Sequence, residues 1–312
     1  MHVSNQNVIR TRAGNVPPIL ALCFAALCLL PFAVSWDLTR ALFTLVFSND
    51  TFSQIPLIPL VSMYLIYSNR KIIFADITFG GATGTAFLVT GLTFVVVARL
   101  NTERLGPTNW ASLFVLGIVV IWMGAFVLLF GVRAFRSACF PLLFLLFAVP
   151  IPEPILSHLI SFLQKGSANV AEVFLNLAGV PYLRRDLVFD LPGVSIRVAE
   201  ECSGIRSTLA LLITTTLASY LFLRTGWRRI LLIFVVVPMA LIKNGLRIAG
   251  LTLLSIYVNP GFLTGNLHRR GGIVFFMIVL VPMAVLLILL ERGERPKSMA
   301  AAAHENFIRE QA

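Results

Sequence analysis

A reactive group of side chains stands directly before a long apolar run, in the segment "VAEECSGIRS", residues 198–207. If a helix begins here, its unpaired backbone N–H groups and its dipole favour thiolate over thiol, and they can also stabilise an oxyanion. The two carboxylates repel a thiolate, so a cation has to lie nearby. The alternative is a cysteine that only packs, as a small apolar residue. The candidate residues are Glu200, Glu201, Cys202, Ser203 as a helix cap, Gly204, and Arg206 as the local cation.

A second polar cluster interrupts a later apolar run, in "IKNGLRIAG", residues 242–250. Lys243 and Arg247 are one helical turn apart, with Asn244 between them. A charge at membrane depth costs at least about 2.5 kcal/mol, so both cations need partners. Either they pair with buried carbonyls or a glutamate to hold the helices together, or Arg247 binds a substrate carbonyl or an oxyanion. Lys243 could instead extend towards the inner interface.

His268, in "NPGFLTGNLHRRGG", is the candidate acid and base. An unperturbed imidazole titrates near pH 6.5, so it can take a proton from a thiol and return it to a leaving amine. A solvated loop histidine is the alternative, and His158 is a weaker candidate base. Together, Cys202, Arg247 and His268 suit acyl transfer through a thioester.

Other chemistry finds no support in the sequence. There is no metal-ligand spacing, phosphate loop, GxSxG or HExxH, and no basic stripe with interleaved aromatic residues. We therefore expect no metal, no cofactor and no nucleic-acid partner.

The elements that position these residues are membrane helices. The chain is 58% hydrophobic and 12% charged, and it has 25 phenylalanines among 312 residues. A bilayer core requires roughly 20 apolar residues as helix, which divides the chain into about eight spans. An all-α polytopic membrane protein follows. The predicted spans are Val16 to Ser35, Ile55 to Tyr67, Phe79 to Val97, Trp110 to Phe130, Phe140 to Ile151, Ser207 to Leu223, Ile230 to Tyr257 and Gly272 to Leu290.

Basic residues predict the orientation. With eight spans, the short segments "IRTR", "NRK", "RAFR", "RTGWRR" and "ERGERPK" all fall on the cytoplasmic side, which leaves Cys202 and His268 outside. The first span is either an uncleaved anchor or a signal peptide ending near "AVS", and both leave the later topology unchanged. We expect one membrane domain over residues 1–290 and a cytoplasmic tail over residues 291–312.

The interval 152–203 is expected to form a small extracytoplasmic insertion. Residues 155–178 carry apolar side chains at helical spacing, as in a helix lying in the membrane interface. Residues 187–198 alternate apolar and polar around Pro192 and Gly193, as in a β-hairpin. The hairpin would deliver Cys202 to the outer rim of the sixth span.

These segments, taken in order, resemble the exosortase and archaeosortase family of membrane cysteine transpeptidases. "AEECSGIRS", "NGLR" and "GNLHRRGG" are similar to the family's cysteine, arginine and histidine motifs. "FSQIPLIPLVSMYLIYSNRK" resembles an early span of the family, and "VPIPEPIL" with "LAGVPYLRRDLVFDLPG" resembles its approach to the cysteine. Two positions depart from the pattern: Gln54 stands where the family often has histidine, and Glu201 where it has a small residue.

The resemblance implies a role for each matching residue: Cys202 as nucleophile, Arg247 as the essential arginine and His268 as general acid and base. Glu200, Ser203, Gly204, Arg206 and Asn244 would support them. It also implies substrates exported with a C-terminal sorting signal, which consists of a short motif such as Pro-Glu-Pro, a transmembrane helix and a basic end. The enzyme would lie among the lipids of the inner membrane, with its site on the periplasmic face, and would transfer the protein to a polysaccharide or lipid acceptor.

Two alternatives stay open. In a transporter or scaffold for polysaccharide export, Lys243 and Arg247 would line a substrate path, although most other spans carry no interior charge. In a membrane cysteine hydrolase, water would replace the acceptor. The sequence does not separate transfer from hydrolysis, because the nucleophile does not encode the acceptor.

Overall fold

The computed structural model describes residues 9–10, 16–48, 52, 54–191, 194–199, 203–263 and 272–294. It is mostly helical, with two small sheets, and it divides into two units, Met1–Leu156 and Ser157–Ala312. The predicted class, an all-α polytopic membrane protein with a small sheet, is confirmed. The single membrane domain over residues 1–290 stays a prediction.

The first unit contains two very short antiparallel strands and seven helices before the boundary helix, among the described residues. The strands are β1 (Ile9–Arg10) and β2 (Asp76–Ile77), and the helices are α1 (Pro18–Val34), α2 (Trp36–Ser48), α3 (Leu57–Ser68), α4 (Arg70–Ile73), α5 (Gly81–Leu100), α6 (Thr102–Ser137) and α7 (Cys139–Phe144), which a 3₁₀ turn (Leu145–Ala148) follows.

Helix α8 (Glu153–Leu177) crosses the boundary between the units. The second unit continues with a three-stranded antiparallel sheet and the last helices. These elements are β3 (Leu183–Arg185), β4 (Val188–Leu191), β5 (Val194–Arg197), α9 (Ile205–Phe222), α10 (Gly226–Tyr257), a 3₁₀ turn (Pro260–Leu263) and α11 (Gly272–Arg292).

Seven of the eight predicted spans fall on an α-helix, whereas the fifth, Phe140 to Ile151, falls on the six-residue α7, the 3₁₀ turn after it and non-helical residues. Within the described part of the chain, five helices are long and apolar enough to cross a membrane, or up to seven if two bent helix pairs each count as one span. Helix α3, at the second predicted span, has 12 residues and is therefore only about 18 Å long, shorter than a bilayer core of about 30 Å. The chain is a multi-pass membrane protein.

Glycines hold α5 and α6 in close contact. Gly84 and Gly91 on α5 face α6, and Gly117 and Gly124 on α6 face α5, each pair seven residues apart on one helix face. A Cβ added to Gly117 would lie 2.8 Å from the carbonyl oxygen of Gly91, closer than packed atoms come. Small residues let membrane helices approach until their backbones touch, and van der Waals packing then stabilises the pair.

The predicted hairpin is present as β4 and β5. Leu191 pairs with Val194, so the connection is two residues long, and its Pro192 and Gly193 lie outside the described residues. The sequence did not predict β3, which pairs with β4 through a turn at Asp186, a residue with a positive φ of 54°. Aspartate adopts a positive φ more readily than most residues, so Asp186 is the sequence feature that could have predicted this turn.

A polar network joins α8 to this sheet. The guanidinium of Arg184 forms an ion pair with Glu172 and donates to Asn169 Oδ1 at 2.8 Å. Tyr182 donates its hydroxyl to Glu172 Oε1 at 3.1 Å, and partial burial together with this hydrogen bond raises the pKa of Tyr182. The phenol therefore stays protonated, and the sheet is fixed to the helix by side chains from both elements.

The two long helices of the second unit cap one another. The carboxylate of Glu294 accepts from the backbone N–H groups of Arg224 and Thr225 at 2.7 and 2.8 Å, just before α10 begins. These hydrogen bonds lower the pKa of Glu294 to about 2. In return, Arg228 on α10 donates to the carbonyl oxygens of Leu290 and Gly293 at the end of α11. Free groups at both helix ends are thus satisfied.

We expect Gly117→Ala to lower the free energy of unfolding by about 1–3 kcal/mol, because the new methyl group overpacks the contact with Gly91. Gly250→Ala is the matched control, since Gly250 lies inside α10 with nothing within 4 Å of an added Cβ. That variant should gain about 0.5–1 kcal/mol from helix propensity. Circular dichroism monitors unfolding in a denaturing detergent and gives the free energy of unfolding of each variant. Equal effects of the two substitutions would contradict close packing of Gly117 against Gly91.

Candidate functional site

The polar residues around the start of α9 form the candidate site. Glu200, Glu201, Cys202 and His268 lie outside the described residues. The structure does describe the rest of the predicted set. These residues are Ser203, Gly204, Arg206, Asn244 and Arg247.

A left-handed glycine starts α9. Gly204 has φ 74° and ψ 16°, and it occupies the cap position, one residue after the fully buried Ser203. Its carbonyl oxygen accepts hydrogen bonds from the backbone N–H and the hydroxyl of Thr208, both at 2.9 Å. Helix α9 therefore begins at Ile205, three residues after position 202 in the sequence, and its first backbone N–H groups have no partner within the helix.

Gly204 packs directly against Asn244 of α10. A Cβ at position 204 would lie 3.0 Å from Asn244 Oδ1 and 3.1 Å from its Cγ, so a larger residue would push the amide away. Asn244 is 1% exposed and donates its Nδ2 to Ser167 Oγ of α8 at 3.0 Å. One side chain thus connects three helices, as expected for a polar group that is costly to bury without partners.

A second polar contact joins α9 to α10 one turn further along. Lys243 is 4% exposed, and its ammonium donates to the hydroxyl of Ser207. Arg247 is half-buried, one turn beyond Asn244 on the same helix, whereas Arg206 on α9 is exposed. Lys243 and Arg247 bring two positive charges into this stretch of α10, and positive charge lowers the free energy of an anion formed nearby.

Helix α8 supports the site from the other side. Gln164 donates its Nε2 to the carbonyl oxygen of Val198 at 3.1 Å, which fixes the chain four residues before position 202. Gly245 of α10 fits against Val170 of α8, where an added Cβ would lie 2.6 Å from a side-chain carbon. The chain is therefore anchored on both sides of the predicted nucleophile, at buried Val198 and buried Ser203.

Sequence reasoning missed the contribution of α8. The sequence pattern predicts Gln164 and Ser167 only as polar residues of an interfacial helix, yet both are buried. With Ala168 and Ala171 they occupy positions i, i+3, i+4 and i+7, which share one helix face. This stripe of small and polar residues was the signal for a face that packs against other helices.

The described residues do not form a metal site. Among the residues described, no three or more His, Cys, Asp or Glu side chains lie close enough together to hold a metal ion. The described residues of the site contribute amide, hydroxyl, ammonium and guanidinium groups beside a helix N-terminus.

Comparison with known proteins gives one match. The model of a family described as transmembrane exosortase matches residues 46–285. The comparisons with curated proteins and with solved structures give no match. The matched range contains the whole polar site, from Gln164 to Arg247.

Two left-handed glycines allow the Gly204 contact to be tested. Gly204→Ala and Gly179→Ala should each lower the free energy of unfolding by about 1–2 kcal/mol, because both place a Cβ on a residue with positive φ. Gly179 has nothing within 4 Å of an added Cβ, so only Gly204→Ala should show a further loss, of about 1 kcal/mol. A double-mutant cycle with Asn244→Ala measures that extra loss, which should largely disappear once the amide is removed. Strict additivity would exclude the contact.

Proposed function

Because the chain belongs to the transmembrane exosortase family, we propose that it is a membrane cysteine transpeptidase. It cleaves the C-terminal sorting signal of exported proteins through a thioester and transfers the protein to an acceptor. The family is generally one of cysteine transpeptidases that process such signals. The proposal for this chain concerns its own residues and the order in which they act.

The contact between Gly204 and Asn244 carries the proposal. Two residues of extended chain span at most about 7 Å, so Cys202 is tethered close to Gly204 and hence to the turn of α10 that bears Asn244. Arg247 follows one turn later on that helix. The buried helix start and the buried amide thus support a nucleophile and an anion-stabilising arginine in one neighbourhood.

In the first step, the Cys202 thiolate attacks the carbonyl carbon of the scissile peptide bond. The carbonyl oxygen becomes an oxyanion, which Arg247 and the N–H groups at the start of α9 stabilise. When the tetrahedral intermediate collapses, the C–N bond breaks and His268 gives a proton to the leaving amine. The products are a thioester on Cys202 and the free transmembrane segment.

In the second step, an acceptor attacks the thioester carbonyl. His268, now neutral, takes the proton of the incoming amine, hydroxyl or water, and the C–S bond breaks to regenerate the Cys202 thiolate beside a protonated His268. A polysaccharide or lipid hydroxyl gives an ester, an amine gives an amide, and water gives a free carboxylate. Glu200 would orient Arg206 or Arg247, and Asn244 holds the start of α9 in place.

We place this chemistry on the extracytoplasmic face of the cytoplasmic membrane. The short basic segments that flank the spans support that orientation, since such loops stay in the cytoplasm. A substrate whose scissile bond lies just outside its membrane helix would then meet the site at the rim of α9. The basic end of the substrate would lie on the opposite side.

Cys202→Ala should lower the rate of substrate cleavage by at least about 10³-fold, because no other group replaces the thiolate. The assay follows, in membranes, the loss of the C-terminal helix from an exported protein that carries a sorting signal. Cys139→Ala is the control, since Cys139 is a free, exposed cysteine outside the site and its loss should leave cleavage unchanged. Cleavage that continues in Cys202→Ala would favour a transporter or scaffold. Where cleavage requires Cys202, the mass of the product's C-terminus distinguishes attachment from hydrolysis.

Arg247→Lys keeps the charge but loses the planar fork of donors, and it should lower the cleavage rate by about 10²–10³-fold. Arg136→Lys, at an exposed position of α6 outside the site, should leave it unchanged. Single-turnover kinetics of thioester formation give both rates. The proposed role for Arg247 fails if the two variants are equally active.

A further inference from the structure

A second feature of the molecule, in the first unit, is a cleft of about 730 Å³. Helices α1, α3, α6 and α7 line it, and its volume falls in the range of about 300–1,000 Å³ seen for small-molecule sites. The cleft shares no residue with the candidate site and takes no part in the mechanism above.

The cleft follows one face of α3 over its whole length. Pro59, Ser62 and Ile66 line it at intervals of three or four residues, so they share a helix face. From Pro59 to Tyr67, the last lining residue of α3, the rise is about 12 Å. Arg70, which begins α4, lies beyond that face, and the lined length is a little less than the depth of one lipid leaflet, about half of a 30 Å bilayer core.

The walls of the cleft are mostly apolar, and the side chains of Ser62 and Trp122 already have hydrogen-bond partners. Ser62 donates its hydroxyl to the carbonyl oxygen of Pro141 at 2.7 Å, and Trp122 donates its Nε1 to that of Cys28 at 3.0 Å. Rings such as Phe126 supply much of the remaining lining. The interior therefore suits a hydrocarbon chain rather than a polar ligand.

A cation stands at one end of the cleft. Arg70 follows the last residues of the apolar helix, and its guanidinium lies 4.1 Å from the centre of the Tyr67 ring. Within the described part of the chain, its hydrogen bond is from Nη1 to the carbonyl oxygen of Tyr67, and neither ion pair there includes it. A guanidinium has five N–H donors, so it can also bind a phosphate. Lys71 adds a second positive charge beside it.

We propose that this cleft binds one acyl chain of an anionic phospholipid, with the headgroup phosphate on Arg70. The charge at its end argues against the transmembrane helix of a sorted substrate, because the basic end of that helix would meet Arg70 and Lys71. The proposal concerns the first unit alone and holds whether or not Cys202 is the nucleophile.

Trp122 in the cleft wall provides the readout. The full-length protein is reconstituted in phosphatidylcholine vesicles that contain brominated phosphatidylglycerol or brominated phosphatidylcholine, whose bromine atoms quench tryptophan fluorescence on contact. The signal of Trp122 is the difference between the wild-type protein and Trp122→Phe. We expect half-maximal quenching at an about five-fold lower fraction of phosphatidylglycerol than of phosphatidylcholine.

Two pairs of variants test the two ends of the lipid. Arg70→Gln should remove the preference for phosphatidylglycerol, whereas Arg136→Gln, an exposed arginine away from the cleft, should keep it. Ala21→Phe fills the cleft and should reduce quenching by both lipids, whereas Ala25→Phe, on the same helix but outside the lining, should not.

Equal quenching by both lipids, unchanged in Arg70→Gln, would mean ordinary bilayer contact and would overturn the proposal. Relief of quenching by a peptide of a sorting-signal helix would assign the cleft to substrate and overturn it too. Arg70→Gln is a surface change, so it reports on the site even if Ala21→Phe does not fold.

Discussion

Pairing of polar side chains inside an apolar helix bundle is the constraint on which the second unit depends. Asn244 and Lys243 cannot be buried among helices without partners, because an unpaired amide or ammonium in such surroundings costs several kcal/mol. Ser167 and Ser207 supply those partners from α8 and α9. The contacts that give Lys243 and Asn244 their partners therefore also fix the start of α9. A reactive group at that end of the helix is positioned by these contacts.

Both units have apolar cores, and different contacts between helices add to them. In the first, glycines seven residues apart bring α5 and α6 into backbone contact, and dispersion acts over the whole interface. In the second, the helices meet through hydrogen bonds, mutual capping at Glu294 and Arg228, and an ion-paired sheet. The apolar cleft and the polar site are consistent with this division, since each lies in the unit whose packing suits its ligand.

Much of the fold was predictable, because length and hydropathy identify membrane helices. The alternation of apolar and polar residues identifies the β4–β5 hairpin. Other features depend on contacts between distant residues. Strand β3 is only three residues long, too short for a pattern, and the buried roles of Gln164 and Ser167 follow from the approach of α10. At the site, the sequence indicated Gly204 and Asn244 separately, but not that one fits against the other. Whether Cys202, Arg247 and His268 act together stays a prediction.

The α5–α6 pair has a consequence for how the protein is made. Residues 101–106, which end at the non-helical Gly106, separate α5 from the long part of α6, so the interface joins segments that are close in sequence. The contacts between α5 and α6 themselves involve no later part of the chain. The pair can therefore assemble as the nascent polypeptide leaves the ribosome, and it then offers a finished surface to the segments synthesised after it.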